Sequence, residues 1–306
     1  MMKTTKRVID LFAGCGGLGL GFQNAGFQIV AAVDTWEPAL AVYQKNFSHD
    51  VHNLDLSDVD KACSTLKGYR ADMIVGGPPC QDFSLAGNRN EDGERGNLTV
   101  AFAEIVSQLR PSFFAMENVN QLTKTRKFRI AHEILKRAGY GGTIRLICAS
   151  SCGVPQYRKR YFVVGELGGE DDFLEKYLDQ GLSPNPVTVR AYFGDNLDTD
   201  YYYRHPRSYQ RRAIYSVDEL SPTIRGVNRP IPLTYNPHPL DATYDLSLVR
   251  PLTTMERASI QTFPDDFHWT GTKTQMEQMI GNAVPVKLAE HVATRLLAHI
   301  ADTNDR

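Results

Sequence analysis

Cysteine is scarce: five residues in 306, at 15, 63, 80, 148 and 152, with no Cys-x-x-Cys pair. That excludes a disulfide framework and a paired-cysteine zinc site, and fits reduced intracellular thiols. No apolar run approaches the roughly 18 residues of a membrane span. Neither sign of charge is in excess. Lys and Arg number 34 against 35 Asp and Glu, a net charge of -1; this excludes a uniformly basic surface but not a local basic cleft. Internal repeats and low-complexity tracts are absent, so collagen, coiled-coil and disordered classes fall away. Residues 1–17 place basic residues ahead of a short apolar run that leads into a glycine loop, not a cleavage site, so no signal peptide is expected. What is present is ordinary for a globular chain: 42% apolar and 23% charged residues. At roughly 150 residues per domain, the length suggests two domains or one with an insertion.

Up to about residue 165, β-rich runs alternate with helical patterns. Strands are expected at Arg7–Phe12, Gln28–Asp34, Asp72–Gly76, Ser112–Glu117, Thr143–Ala149 and Arg160–Gly165. Between them Leu98, Phe102, Ile105, Val106 and Leu109 follow the spacing of a half-buried helix. Such alternation predicts a mostly parallel sheet with helices on both faces, and ligands at the carboxyl ends of its strands. After Leu167 the texture changes. Residues 166–200 hold nine acids against Lys176 and Arg190; residues 201–230 hold six arginines against Asp218 and Glu219. Prolines punctuate 184–264, the mark of a smaller, loop-rich second domain. Pro285 opens a last helix with a stripe of Leu288, Val292, Leu296 and Ile300.

Two loops carry chemistry. In DLFAGCGGLGLGF (10–22) glycines close the first strand and open a helix, where a ligand can approach the backbone and find helix N–H groups. Asp34, at the end of the second strand, suits ribose hydroxyls. By themselves these residues fit nicotinamide, flavin or S-adenosylmethionine equally. In GPPCQDFS (77–84), Cys80 follows a strand in a stiff Pro-Pro turn, a setting for a reactive thiol and not a packed one.

GPPCQDFS resembles the nucleophile motif of the DNA cytosine carbon-5 methyltransferases, and the other motifs of that family follow in order. They are the glycine loop, RGNL (95–98), ENV (117–119), QYRKR (156–160), RPLTTME through QTFP (250–264) and GNAVP (281–285). Residues 168–249 alone lack such motifs. The resemblance implies an S-adenosylmethionine-dependent, Rossmann-like α/β domain over 1–188, completed by 275–306, and a target-recognition domain over 189–274. It implies that Cys80 adds to carbon 6 of a flipped-out cytosine, making carbon 5 nucleophilic. Glu117 would contact ring nitrogen 3 and the exocyclic amine, and Arg158 and Arg160, two apart on one strand face, would hold the base and its phosphate.

For the cofactor, S-adenosyl-L-methionine, the resemblance implies that Phe12 stacks on the adenine while Ala13, Gly14, Cys15, Gly16 and Gly17 line the methionine moiety. Asp34 would bind the ribose, Trp36 would pack on the adenine, and Asp55 with Leu56 would read its edge. Pro79, Leu98, Asn282 and Val284 would complete the pocket. Family members often carry Glu at the position of Asp34 with the stacking aromatic directly after it; here Thr35 intervenes, so either Thr35 or Trp36 touches the adenine. No metal is expected.

A base inside a duplex must be flipped out to be reached. Gln81 and Ser84 are expected to touch the DNA. Arg204, Arg207, Arg211, Arg212, Arg225 and Arg229 are expected to supply phosphate and base-edge contacts, with Lys124, Arg126, Lys127 and Arg129 as further candidates. The implied partner is double-stranded DNA carrying one short recognition sequence, the implied setting a cytoplasmic restriction–modification system with a separate nuclease, and the expected state a monomer. Three other readings compete. A tRNA-methylating relative would carry a Cys-Phe-Thr signature, which this chain lacks. A nicotinamide oxidoreductase leaves Pro-Pro-Cys, ENV and QYRKR unexplained. A catalytically inactive DNA-binding protein would not need Cys80, Glu117 and Arg158 intact.

Overall fold

Apolar residues alternate along the central strands so that each strand feeds two cores. The computed structural model describes residues 5–79, 97–119, 122–208 and 210–304. Its main sheet comprises β1 (Arg7–Leu11), β2 (Gln28–Asp34), β3 (Asp50–Asn53), β4 (Met73–Gly76), β5 (Phe113–Val119), β6 (Tyr140–Cys148) and β8 (Lys159–Leu167); a short β7 (Gln156–Tyr157) lies outside it. Val8, Met73, Val75, Phe113 and Ala115 face one core; Ile9, Ile74, Phe114 and Met116 face the other. This period of two along strands buried on both faces follows from the pleat.

The strand order is β3-β2-β1-β4-β5-β8-β6. The first five are parallel to their neighbours. β8 runs antiparallel to both β5 and β6, because the connection from β6 to β8 is too short for a crossover helix. The sheet is thus mixed and mostly parallel, as expected. Four helices, α1 (Gly17–Ala25), α2 (Glu37–Asn46), α3 (Val59–Leu66) and α4 (Asn97–Leu109), join the parallel strands, and α5 (Arg126–Arg137) precedes β6. Sequential strands leave β1 in opposite directions, toward β2 on one side and β4 on the other, which opens a ligand crevice at their carboxyl ends. β3, of sequence Asp-Val-His-Asn, went unanticipated because its polar residues carry no strand pattern.

The last helix, α10 (Val286–Asn304), covers the first core beside α1: Leu288, Val292 and Leu296 pack with Leu18 and Phe22. Contact is close enough that a Cβ on Gly21 would lie 2.4 Å from the Cβ of Ala289. A short α6 (Glu175–Leu178) joins the same core through Leu174, Tyr177 and Leu178. No helix among the described residues is long and apolar enough to cross a membrane.

The region beyond is loop-rich. It contains α7 (Val189–Phe193), a three-stranded sheet of β9 (Tyr201–Tyr203), β10 (Ile214–Ser216) and β12 (Val249–Pro251), and β11 (Ser221–Pro222), which pairs with β7. A small core of Tyr203, Ala213, Ile214, Tyr235 and Val249 holds the sheet. Then come α8 (Thr254–Ile260) and α9 (Lys273–Asn282), each opened by a Thr capping box that satisfies orphan N–H groups. In RPLTTME, Glu256 closes the first of these boxes and also pairs with Arg250 at 2.7 Å. Ala258, Ile260, Phe263 and Phe267 share a core with Tyr43 of α2 and Phe47 just past its end, and Asn46 and His268 exchange hydrogen bonds of 2.9 and 2.8 Å. Residues 258–267 therefore pack against α2 beside the sheet.

Leu296 is fully buried in α10. Leu296→Ala is expected to lower unfolding free energy by about 2–5 kcal/mol, read from denaturant titration. A loss under about 0.5 kcal/mol, the ordinary range of surface substitutions, would mean that α10 is not integral to the sheet domain.

Candidate active site

The glycine loop begins where β1 ends. Phe12 takes a left-handed backbone (φ 56°), unusual for an aromatic residue, and Gly14 follows at φ 55°. The Ala13 N–H donates to the Val33 carbonyl at 3.0 Å, tying the loop to β2. Around a Cβ placed on Gly14 nothing lies within 4 Å, so a ligand can approach this backbone. Gly16 differs from the expectation. A Cβ there would lie 2.5 Å from the Phe47 ring; Gly16 turns into the α2 core and is absent from the cleft wall. Gly17 faces the other way, its would-be Cβ 2.4 Å from the Val284 carbonyl oxygen.

Asp34 closes β2 and stitches two loops together. One carboxylate oxygen accepts the Gly14 N–H at 2.8 Å; the other accepts the N–H groups of Thr35 at 2.8 Å and Trp36 at 2.9 Å. A carboxylate offers about four lone-pair sites, which leaves room for a ribose hydroxyl. Thr35 is exposed, Trp36 half-buried, and both line the cleft. Leu56 is buried beyond β3 with Asp55 exposed beside it.

The other end of the cleft lies where β5 meets β8. Their antiparallel register sets Glu117 opposite Phe162 and Val119 opposite Arg160, so Glu117 and Arg160 are diagonal neighbours on one face. Arg160 Nε lies 2.9 Å from Glu117 Oε1. Burial pushes the Glu117 carboxyl up, against the opposing pull of Arg160 and then Arg158. Next to Glu117, the buried Asn118 amide donates to the Pro78 carbonyl at 3.0 Å. A Cβ on Gly77 would sit 3.2 Å from Glu117 Oε2. Gly77 and Pro78, just past the end of β4, are thereby pinned beside Glu117. Cys80 itself, with Gln81 and Ser84, lies outside the described residues.

Arg158 departs from the expected pairing with Arg160. It falls between β7 and β8, so the two are not strand neighbours. Its side chain is buried and its guanidinium is occupied by carbonyls: Nη1 donates to Ile224 at 3.0 Å and Gly281 at 3.3 Å, and Nη2 to Gly281 at 3.2 Å and Ala283 at 3.0 Å.

A single cleft of about 780 Å³ gathers these ends. Its walls include Phe12, Ala13, Gly14, Cys15, Gly17, Asp34, Trp36, Asp55, Leu56, Pro79, Leu98, Asn282 and Val284, together with Glu117, Arg158 and Arg160. Sequence reasoning missed Gln278, Met279, Ala283, Pro78 and Asn118 in the same wall. Asn118 stands inside the ENV triplet, the one signal that pointed to it. Apolar faces from Phe12, Trp36 and Leu56, carboxylates from Asp34 and Asp55, and open backbone at Gly14 suit a ligand with an adenine, a ribose and a charged tail. Among the described residues no three His, Cys, Asp or Glu side chains gather as metal ligands.

The six arginines divide. Arg212 is engaged internally, paired with Glu219 at 2.8 Å, donating to the Ile214 carbonyl at 2.9 Å and lying over the Tyr215 ring at 4.5 Å. Contrary to expectation, it is a buttress and not a free cation. Arg204 and Arg225 are half-buried, donating to the carbonyls of Thr223 (3.0 Å) and His205 respectively. Arg207, Arg211 and Arg229 are exposed, and among the described residues no acid pairs with them. Burial, then Arg204, Arg207 and Arg211, pull Arg225 down to about 10. His205 is lowered by burial and then by Arg229, Arg225 and Arg204. Positive charge is therefore concentrated on one surface without neutralising acids, a field suited to a polyanion.

An α/β sheet with a cofactor-sized crevice at its strand ends, joined to a buried carboxyl–arginine pair and flanked by a basic surface, defines a group-transfer enzyme acting on a nucleic acid. The profile of the C-5 cytosine-specific DNA methylases matches residues 6–298, and the chain belongs to that family. It is 56% identical to the Type II methyltransferase M.HgiDI of Herpetosiphon aurantiacus, over 96% of this chain and 95% of that one. It is 52% identical to the Type II methyltransferase M.HindV of Haemophilus influenzae, over 95% and 96%. In fold it is similar to the crystal structure of a DNMT2 mutant from Spodoptera frugiperda, with a TM-score of 0.70 at 20% identity, covering 97% of this chain and all of the other. The enzyme is a DNA cytosine-5 methyltransferase; the family does not favour the tRNA and nicotinamide readings.

Glu117 makes stability depend on pH. With its carboxyl raised by burial, the folded chain holds a proton that the unfolded chain releases near about pH 4.3. The resulting stabilisation is present below that pH and is lost as pH rises through the raised value. Neutral Glu117→Gln has no such loss, so its stability relative to the parent is expected to increase between about pH 4 and pH 7. A pH-independent difference in paired denaturant titrations would contradict the raised carboxyl.

Proposed function

We propose that the chain transfers the methyl group of S-adenosyl-L-methionine to carbon 5 of a cytosine within one short double-stranded DNA sequence. The observation that carries this reading is the anchoring of Pro78, two residues before Cys80, by Asn118 beside the buried Glu117–Arg160 pair. The chain just before Cys80, the proton source and the cofactor cleft then lie together. S-adenosyl-L-methionine supplies an electrophilic sulfonium methyl when bound. Phe12, Trp36 and Leu56 hold its adenine, Asp34 its ribose, and the Ala13–Gly17 loop with Asn282 and Val284 its amino-acid end.

The flipped cytosine enters from the Arg160 side. The Cys80 thiolate adds to carbon 6, and the protonated form of Glu117, which burial favours, donates to ring nitrogen 3 as charge builds there. Arg160 fixes the carboxyl in place and faces the base. Methyl transfer to carbon 5 would break the sulfonium carbon–sulfur bond, with the demethylated cofactor as leaving group; the carbon 5 proton then passes to solvent, ring nitrogen 3 returns its proton to Glu117, and the carbon 6–sulfur bond to Cys80 breaks to restore the ring double bond. Residues 189–249 read the sequence: Arg207, Arg211 and Arg229 hold phosphates, while Arg204 and Arg225, held by carbonyls, present fixed forks to base edges. The names of the two relatives favour a Type II system with a nuclease acting separately, and we place the enzyme in the cytoplasm as a monomer.

Cys80→Ala is expected to reduce methyl transfer by at least about 10³-fold while calorimetric binding of the cofactor stays nearly unchanged. Substantial turnover by the variant would refute covalent addition. For the arginines, alanine variants profiled on a randomised duplex library at two salt concentrations separate the roles. Loss of Arg207, Arg211 or Arg229 should weaken all sequences alike and flatten the salt dependence. Loss of Arg204 or Arg225 should cost about 1–3 kcal/mol at one base position. Arg212→Ala should change stability alone, and a shifted sequence preference in that variant would overturn the assignment.

A further inference from the structure

Arg158 is a cation buried where no carboxylate among the described residues pairs with it. Taking a charge out of water costs several kcal/mol unless its donors are satisfied. Here the carbonyls of Gly281 and Ala283, at the carboxyl end of α9, and of Ile224 accept its protons. A helix carboxyl terminus carries partial negative charge, which suits a guanidinium. The three acceptors belong to two different parts of the molecule. Residues 281–284 form the cofactor wall, and residue 224 opens the segment 224–228 that carries Arg225.

Two glutamines reinforce the same joint. Gln156 accepts the Ile224 N–H at 2.9 Å and donates to Gln261 at 2.7 Å; Gln261 in turn donates to Ala283 at 3.1 Å and to Ile280. Backbone lies directly on backbone at the contact: a Cβ on Gly281 would come within 2.1 Å of the Gly226 nitrogen, and one on Gly226 within 2.3 Å of Gln278 Oε1. The far end of the segment is fixed as well, since Glu277 of α9 accepts from Asn228 at 2.8 Å and pairs with Arg257, which donates to the Arg225 carbonyl. Both ends of 224–228 are thus fastened to α9, with little room for either body to move alone.

We propose that Arg158 is a positioning residue, which with Gln156 and Gln261 couples the cofactor wall at 281–284 to the DNA-reading segment 224–228. The coupling rests on the assignment of the cleft to S-adenosyl-L-methionine. Because linkage is reciprocal, ordering of the wall by the cofactor orders Arg225 for DNA, and engagement of Arg225 tightens the wall. Arg158 acts through these carbonyls; Arg160 remains the arginine that faces the base.

Hydrogen exchange on the whole protein, with S-adenosyl-L-homocysteine as probe, tests this without knowledge of the target sequence. Saturation is expected to slow exchange of the 224–228 amides by about fivefold or more in the parent chain. In Arg158→Lys, whose point charge cannot span three carbonyls, calorimetry should still detect binding while the slowing at 224–228 disappears. Gln261→Glu should lose it likewise, and serves if the lysine variant does not fold. Arg212→Ala, which disturbs the same region away from this joint, should keep it. Binding without slowing in the parent chain overturns the coupling alone; so does slowing that persists in Arg158→Lys, or its loss in Arg212→Ala. Absence of binding in the parent overturns the cofactor assignment, and the coupling with it.

Discussion

The antiparallel return of β8 beside β5 is the constraint on which the site depends. A sixth parallel strand would have delivered its own carboxyl end to the crevice; the reversed strand delivers its amino end, where QYRKR ends. Arg160 is thereby placed diagonal to Glu117, and Arg158 falls just before the strand, where it can reach the carbonyls of α9 and residue 224. The burial that raises the Glu117 carboxyl arises from the same arrangement, because β5 is enclosed by β4 and β8 at its edges and by cores on both faces. Burial favours the protonated form of this carboxyl, and a partner keeps it in place. Arg160 is a partner that only partly opposes the burial.

Much of this was legible in the sequence because the signals are local. The glycine loop, Asp34, Pro79 and Glu117 each stand at or just past the end of a strand that its own composition announces. The GNAVP turn belongs to the cleft because α10 returns to the first core, and the stripe of Leu288, Val292 and Leu296 pointed that way. The role of Arg158 was not legible, since its acceptors lie 66 to 125 residues away and spacing says nothing about them. Gly16 was assigned to the cofactor as part of the loop that the resemblance matches as a whole, whereas this glycine makes room for Phe47. The packing of Phe263 and Phe267 with Tyr43 and Phe47 was not legible either, because about 220 residues separate the two pairs.

Charge illustrates how composition and structure divide the work. A net charge of -1 gave no sign of a nucleic-acid enzyme. The fold separates the signs: acids of 166–200 pair with Arg145, Arg190, Arg250 and Lys136, while Arg204, Arg207, Arg211, Arg225 and Arg229 gather without acids. Arg212 could not be told from these in the sequence, because its partner Glu219 is brought to it by the turn after β10. The basic surface is fastened to α9, a wall of the cleft, through segment 224–228.

The central claim is that this chain methylates carbon 5 of cytosine at one short DNA sequence. Expression of the gene in a host free of cytosine methylation, followed by bisulfite sequencing of that host's DNA, measures both halves of the claim together. The account predicts protected cytosines confined to a single short motif, and none when Cys80→Ala is expressed instead. Unprotected DNA from the active chain, or protection scattered without a motif, would contradict it.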